Sequence, residues 1–154
     1  MKSRNILFLL FVVITLKISG QNDHTTKISY VDFVNPLVGS DSEFVLSNGN
    51  TYPAIATPWG MNFWTPQTGE MGNGWGYTYD AHKIRGFKQT HQPSPWINDY
   101  AAFSLFPETG KLKINEDERA SWFSHKAEIS KPHYYKVYLA DYDVTTEITP
   151  TERG

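Results

Sequence analysis

A chain of 154 residues with 16 Asp and Glu against 14 Lys and Arg carries a formal net charge of −2, and no cluster of Lys or Arg supplies the cationic footprint that nucleic acid or an anionic membrane surface requires. The absence of cysteine excludes a disulfide framework and a lipid-modified cysteine behind a leader. Aromatic residues make up 15% of the chain, five of the side chains being tryptophan, and this surplus of flat amphipathic groups needs explaining.

Lys2 and Arg4 precede an apolar run from Ile6 to Leu16 that ends in the small residues Ser19 and Gly20, the pattern of a secretory signal peptide over residues 1–20. The run is short for a bilayer span and no second apolar segment follows, so no membrane insertion is expected after cleavage. Cleavage removes Lys2, Arg4 and Lys17 and no acid, leaving 11 basic against 16 acidic residues, a formal net charge of −5. Export without disulfide chemistry predicts a secreted or periplasmic bacterial location. Residues 21–154 are long enough for one domain with its own core.

From Ile28 onward, short segments rich in β-branched and aromatic residues alternate with Gly, Pro, Asn and Asp, which predicts many short strands joined by turns. "KISYVDFV" alternates loosely before the turn "NPLVGSDS". "MNFWTP", "WGYTYD" and "YAAFSLFP" read as strands, the last buried on at least one face. "PETGKLK" reads as a turn into a further strand, and the acidic "NEDER", Asn115 to Arg119, as a solvated hairpin tip. "ASWFSH", "HYYKVYLA" and "VTTEITPTE" continue the series, with Tyr135, Val137 and Leu139 alternating against Lys136, Tyr138 and Ala140. The expected fold class is all-β, an antiparallel β-sandwich. Its strand pattern stops at Gly154 without a closing cap, so the domain over 21–154 is expected to be incomplete at its C-terminal end.

A nucleophile elbow, a phosphate loop, a dinucleotide fingerprint and a zincin histidine pair are absent. His82 and His91 read as hydrogen-bonded loop residues, and no metal site is expected from them. Nothing shows that any two of Asp80, Asp99, Glu108, Asp141 and Asp143 converge as a glycosidase pair, so no catalytic residue is assigned; Asp141 and Asp143 read as flanking a strand start.

The tryptophans permit a sharper reading, because a sugar presents C–H faces that stack on indole and hydroxyls that bond to Asp, Asn and His. Trp64 and Trp122 lie inside strand patterns and are expected in the core. Trp75 in "GNGWG" and Trp96 in "PSPWIND" sit beside turn residues, where a side chain can face a cleft. Pro93 and Pro95 stiffen "THQPSPWINDY" into an extended loop that holds His91, Trp96 and Asp99 together.

In order along the chain, "YVDFVNPLVGS", "NTYPAIATPWGMNFWTPQTG", "GWGYTYD", "IRGFKQTHQPSPWINDYAAFSLFP" and "SWFSHKAEISKPHYYKVYLADYDVTTEITPTERG" resemble the N-terminal domain of bacterial glycoside hydrolase family 92, the calcium-dependent exo-α-mannosidases. The resemblance runs from about Tyr30 to Gly154. It implies a two-domain enzyme in which a β-sandwich packs on a larger C-terminal (α/α)6 barrel, with the active site between them and only the first part present here. It also implies inverting removal of terminal α-linked mannose from glycans. The general acid, the general base and the calcium ligands are expected in the C-terminal catalytic domain. Trp75 from "GWGY", and His91, Trp96 and Asp99 from "THQPSPWINDY", carry over as substrate-binding residues on the leaving-group side. Asn50 stands where many relatives have histidine, and "KQTHQPSPW" where they have "SHTHLSG", which implies a change in the mannoside accepted. The alternative reading is a free-standing carbohydrate-binding sandwich without hydrolase activity.

Overall fold

Two antiparallel sheets meet across an aromatic and aliphatic core in the computed structural model, which describes residues 29–41, 51–69, 76–90 and 103–153. The first sheet has the order β1-β3-β4, formed by β1 (Phe63–Gln67), β3 (Gly86–Thr90) and β4 (Phe103–Leu105). The second is a meander of β6 (Ile129–Lys131), β7 (Tyr134–Leu139) and β8 (Val144–Ile148). A two-residue ladder joins β2 (Lys83–Ile84) to β5 (Ser121–Trp122). The regular secondary structure of the described residues is thus mostly antiparallel strand with almost no helix, and the all-β class is borne out.

Pattern explains the meander directly. Tyr135, Val137 and Leu139 of β7 are wholly buried while Lys136 and Tyr138 point away, so the period of two places one face in the core. Asp143 reverses the chain into β8 with φ 53°, a left-handed conformation that Asp tolerates, and its carboxylate accepts from the Tyr138 hydroxyl at 2.8 Å. Asp143 therefore does stand at a strand start. Phe87 of β3 reaches across to Tyr135 of β7, ring edge toward ring face at 6.2 Å, and this contact ties the two sheets together.

The first sheet has two unlike faces. Trp64, Phe87, Phe103 and Leu105 share the apolar one, where Trp64 meets Phe103 edge-on at 5.8 Å and packs against the core as expected. On the other face Thr65, Gln67, Lys88 and Thr90 are polar and yet no more than 6% exposed. A groove of about 540 Å³ lies between the apolar face and β8, lined by Trp64, Phe87, Leu105 and Ile148 among others. Phe103 and Leu105 are 42% and 56% exposed, while Ser104 between them turns inward, so β4 is less buried than its apolar run predicts.

Several expected strands take other forms. Tyr30–Phe33 is a 3-10 helix, because Asp32 N bonds to Ser29 O and Val34 N to Val31 O in place of any strand partner. Within "WGYTYD", residues 76–80 make no strand: Thr78 N bonds to the Thr68 hydroxyl and Tyr79 N to Ser40 O. "PETGKLK" does turn, at Gly110 with φ 83°, but Glu108 accepts from Lys113 N at 3.1 Å and no strand follows among Lys111–Ile114. "NEDER" is one turn of helix, α1 (Glu116–Arg119), instead of a hairpin tip. Asn115 caps it by accepting from Asp117 N and Glu118 N, and three acids occupy the positive end of the helix dipole. Trp122 is 52% exposed, which overturns its expected place in the core: it alternates with Ser121, and Ser121 takes the inward position.

Candidate functional site

Trp75, His91, Trp96 and Asp99, the residues singled out from the sequence as sugar contacts, lie outside the described residues, as does Asn50. What the structure gives is the frame on either side of them. Strand β3 ends at Thr90, immediately before His91, and there Thr90 pairs with Phe63 while its side chain bonds to the Tyr52 hydroxyl. Burial pushes that hydroxyl up to about 12. Gly76, next to Trp75, presents its carbonyl to Thr68 N at 2.7 Å, just past the end of the ladder where Gln67 pairs with Gly86. At a rise of roughly 3.4 Å per residue, the two ends of this five-residue ladder are about 14 Å apart. The chain thus leaves for Trp75 and for His91 from opposite ends of one strand pair.

The segment after Trp75 is held by a buried carboxylate. Ser124 accepts from Lys126 N and opens a short 3-10 turn, His125–Ala127, that brings His125 and Glu128 to the same side. The Glu128 side chain is 1% exposed and accepts from the Tyr135 hydroxyl at 2.6 Å, from the Tyr77 hydroxyl at 3.0 Å, and from His125 Nδ1 at 2.5 Å. His125 Nε2 lies 2.7 Å from the Tyr79 carbonyl, and the Tyr79 ring stacks on the imidazole at 4.0 Å. A carbonyl only accepts, so Nε2 carries a proton; the short contact at Nδ1 holds another between imidazole and carboxylate. A carboxylate so deeply buried needs such partners. Burial and the Glu128 charge raise the Tyr77 and Tyr135 hydroxyls well above the ordinary tyrosine range. The network clamps Tyr77 and Tyr79, and with them the backbone that follows Trp75.

A second polar cluster lies on the buried face of the first sheet. Gln67 accepts from the Ser104 hydroxyl at 3.0 Å and donates to Gly69 O at 2.8 Å, with Glu116 of α1 3.5 Å away. Lys88 is 2% exposed; burial lowers its pKa, and the Glu116 charge partly opposes that. Gly86 is required here, because a Cβ at that position would stand 2.1 Å from the Ser104 oxygen. These groups can orient and hydrogen-bond. Among the described residues no group of three or more His, Asp or Glu is arranged to hold a metal ion.

Sequence reasoning did not single out Glu128, His125 or Lys88. The visible signals were the i,i+3 spacing of His125 and Glu128 and the tyrosines in "HYYKV", but nothing local announces that Glu128 is buried.

Residues 33–154 match the family model described as the glycosyl hydrolase family 92 N-terminal domain. The chain belongs to glycosyl hydrolase family 92. Among solved structures it is similar to the family GH92 inverting mannosidase BT2199 of Bacteroides thetaiotaomicron VPI-5482, with 52% identity and a TM-score of 0.75 over 82% of this chain and 17% of that one. The GH92 α-mannosidase BT3965 of Bacteroides thetaiotaomicron is 34% identical, with a TM-score of 0.67 over 79% of this chain and 17% of that one. The GH92 glycosyl hydrolase ccman5, at 24% identity and a TM-score of 0.64 over 80% of this chain and 18% of that one, shares the fold. No curated protein matches the chain. In this family 92 domain the residues that carried the resemblance acquire physical roles. Tyr52 of "NTYP" reaches Thr90 of "QTH", His125 of "FSH" closes on Glu128, and Tyr135 of "HYYKV" completes the donors around that carboxylate.

Proposed function

We propose that this chain is the N-terminal, leaving-group-side part of a secreted exo-α-mannosidase that removes terminal mannose from glycans with inversion and depends on calcium. The observation that carries this reading is the 52% identity, over 82% of the chain, to a structure described as an inverting mannosidase. Residues 1–20 act as its export signal. Trp75 and Trp96 stack on the sugar, His91 and Asp99 bond its hydroxyls, and the Glu128 network and the Tyr52–Thr90 contact fix the backbone on which Trp75 and His91 are carried. Proton transfer and calcium binding are supplied by a C-terminal catalytic domain of the same enzyme, as the family resemblance implies. That domain covers apolar side chains left exposed here, such as Phe33, Trp59 and Met61, and the groove of about 530 Å³ lined by Val31, Ala56 and Phe63 among others.

The test uses the full-length protein. It should hydrolyse an aryl α-mannoside to β-mannose as the first product seen by NMR, and a chelator should abolish turnover until calcium is restored. Trp96→Ala should lower kcat/KM on a mannobiose by about ten- to a hundredfold and spare an aryl mannoside with a small leaving group. An α-configured first product, chelator-resistant turnover or an equal loss on both substrates would each refute the corresponding part. Glycan binding without any turnover would favour the free-standing binding module.

A further inference from the structure

We propose that His125 is a proton-operated latch on Tyr79: it holds that residue while both ring nitrogens carry protons, and lets its carbonyl go when one proton is lost. Nδ1 lies 2.5 Å from Glu128 Oε2, and Nε2 lies 2.7 Å from the Tyr79 carbonyl oxygen. Both neighbours are acceptors, so the two contacts together require a proton at each nitrogen. A neutral imidazole carries only one. That proton stays at Nδ1, where the buried carboxylate is the stronger acceptor, and the Nε2 lone pair then faces the carbonyl lone pairs. The Tyr79 ring, stacked on the imidazole with centroids 4.0 Å apart and 12° between planes, loses the attraction of a cation in the same step.

The groups packed around the pair leave the imidazole as the part that changes. Tyr77, from the segment that also carries Tyr79, and Tyr135, from β7, both donate to Glu128 Oε1, and burial beside that carboxylate keeps their protons in place far into alkali. Phe123 meets the imidazole edge-on at 5.0 Å and supplies an apolar wall. Lys126 and Asp80, the charged neighbours in sequence, are exposed, and solvent screens them. The Glu128 side chain is 1% exposed, so water cannot replace the Nδ1 donor; the His125 side chain is 21% exposed, so a released Tyr79 carbonyl can turn to water instead.

Release is local. Thr78 N remains bonded to the Thr68 hydroxyl at 2.9 Å and Tyr77 to Glu128, whereas the backbone bonds nearest the freed carbonyl, Tyr79 N to Ser40 O and Ala81 N to Thr78 O, loosen with it. In the mannosidase reading this segment leads back to Trp75, so an open latch weakens the hold on the leaving-group sugar. That consequence rests on the reading above; the latch does not.

Glu128→Gln separates the latch from other effects of pH. An amide oxygen in the place of Oε1 still accepts from both tyrosines, and an amide nitrogen in the place of Oε2 donates to Nδ1, so a neutral ring keeps its one proton on Nε2 and holds the Tyr79 carbonyl. In the full-length protein, hydrogen-exchange protection of the Tyr79 and Ala81 amides, corrected for the intrinsic rate, should fall up to about tenfold as the pH is raised from about 5 to 9, in step with the loss of one His125 ring proton seen by NMR. Amides of Tyr135–Leu139 should not follow, and in Glu128→Gln the protection of Tyr79 and Ala81 should stay level. The proposal is overturned if wild-type protection is level over this range, if the variant loses protection as the wild type does, or if the His125 ring carries a single proton throughout. KM for a mannobiose should rise as the latch opens in the wild type alone. An opening latch with an unchanged KM would leave the latch standing and remove Trp75 from the sugar site instead.

Discussion

Five tyrosine hydroxyls, at Tyr52, Tyr77, Tyr134, Tyr135 and Tyr138, are held in environments that disfavour their ionised form. Tyr52 rises to about 12 from an ordinary value of 10, through burial, and burial beside Glu128 raises Tyr77 and Tyr135 well above that ordinary value. Each therefore keeps its proton in the fold at pH values where the unfolded chain has released it. The stability they contribute is whole below pH 10 and falls as the pH climbs from 10 through 12. Lys88 acts in the opposite sense: its lowered pKa means that the buried ammonium is discharged on the way up to 10.5, which adds stability, so above 10.5 the tyrosines act alone. Urea midpoints measured between about pH 10.5 and 12 should fall steadily, and Tyr135→Phe should flatten the fall. A midpoint that does not move across this window would contradict the buried-hydroxyl account.

At the scale of elements, the contact of β3 with β4 depends on Gly86. Its missing Cβ leaves room for the Ser104 oxygen, which is engaged with Gln67 and cannot swing away freely. Gly86→Ala should cost about 1–3 kcal/mol, and combining it with Ser104→Ala should recover part of the loss in a double-mutant cycle read by chemical denaturation. The same strand shows why only some of the fold was legible in advance. In β7 hydrophobic and polar residues alternate, so strand, register and buried face could be read from Tyr135, Val137 and Leu139. In β3 the alternation is hidden, because Lys88 and Thr90 are polar and buried, and "GFKQT" carries no such pattern. Local hydrogen bonding decided other segments against propensity: Asn115 nucleated α1 inside an acidic run, and the Thr68 and Ser40 oxygens drew residues 76–80 away from strand pairing. Glu128 was hidden for a different reason. Its burial depends on Tyr77, 51 residues away, and no window of sequence contains both.

For the molecule as a whole, the large apolar side chains left exposed bear most on behaviour in solution. Trp59 holds φ 63°, a conformation costly for a bulky residue, and is 99% exposed. Trp59→Gly should relieve that strain, stabilise the isolated chain by about 1 kcal/mol, and reduce its self-association in light scattering. A lowered thermal midpoint would show that Trp59 anchors the fold. The meander of β6, β7 and β8 has a further consequence, one of timing. Its strands are consecutive in sequence, so its loops close at small entropic cost. Residues 51–63, by contrast, complete their backbone bonding only with distant partners, Ala56 N with Pro132 O and Met61 N with Glu152 O. Of these two segments the later in sequence thus nucleates first, and the earlier must wait. Pulse-labelling hydrogen exchange during refolding should find amides of Tyr134–Ile148 protected before those of Ala56 and Met61; simultaneous protection would argue for a single concerted collapse. Until that nucleus forms, Ala56 and Met61 lack their partners at Pro132 and Glu152, and the segment that carries them stays open to a chaperone.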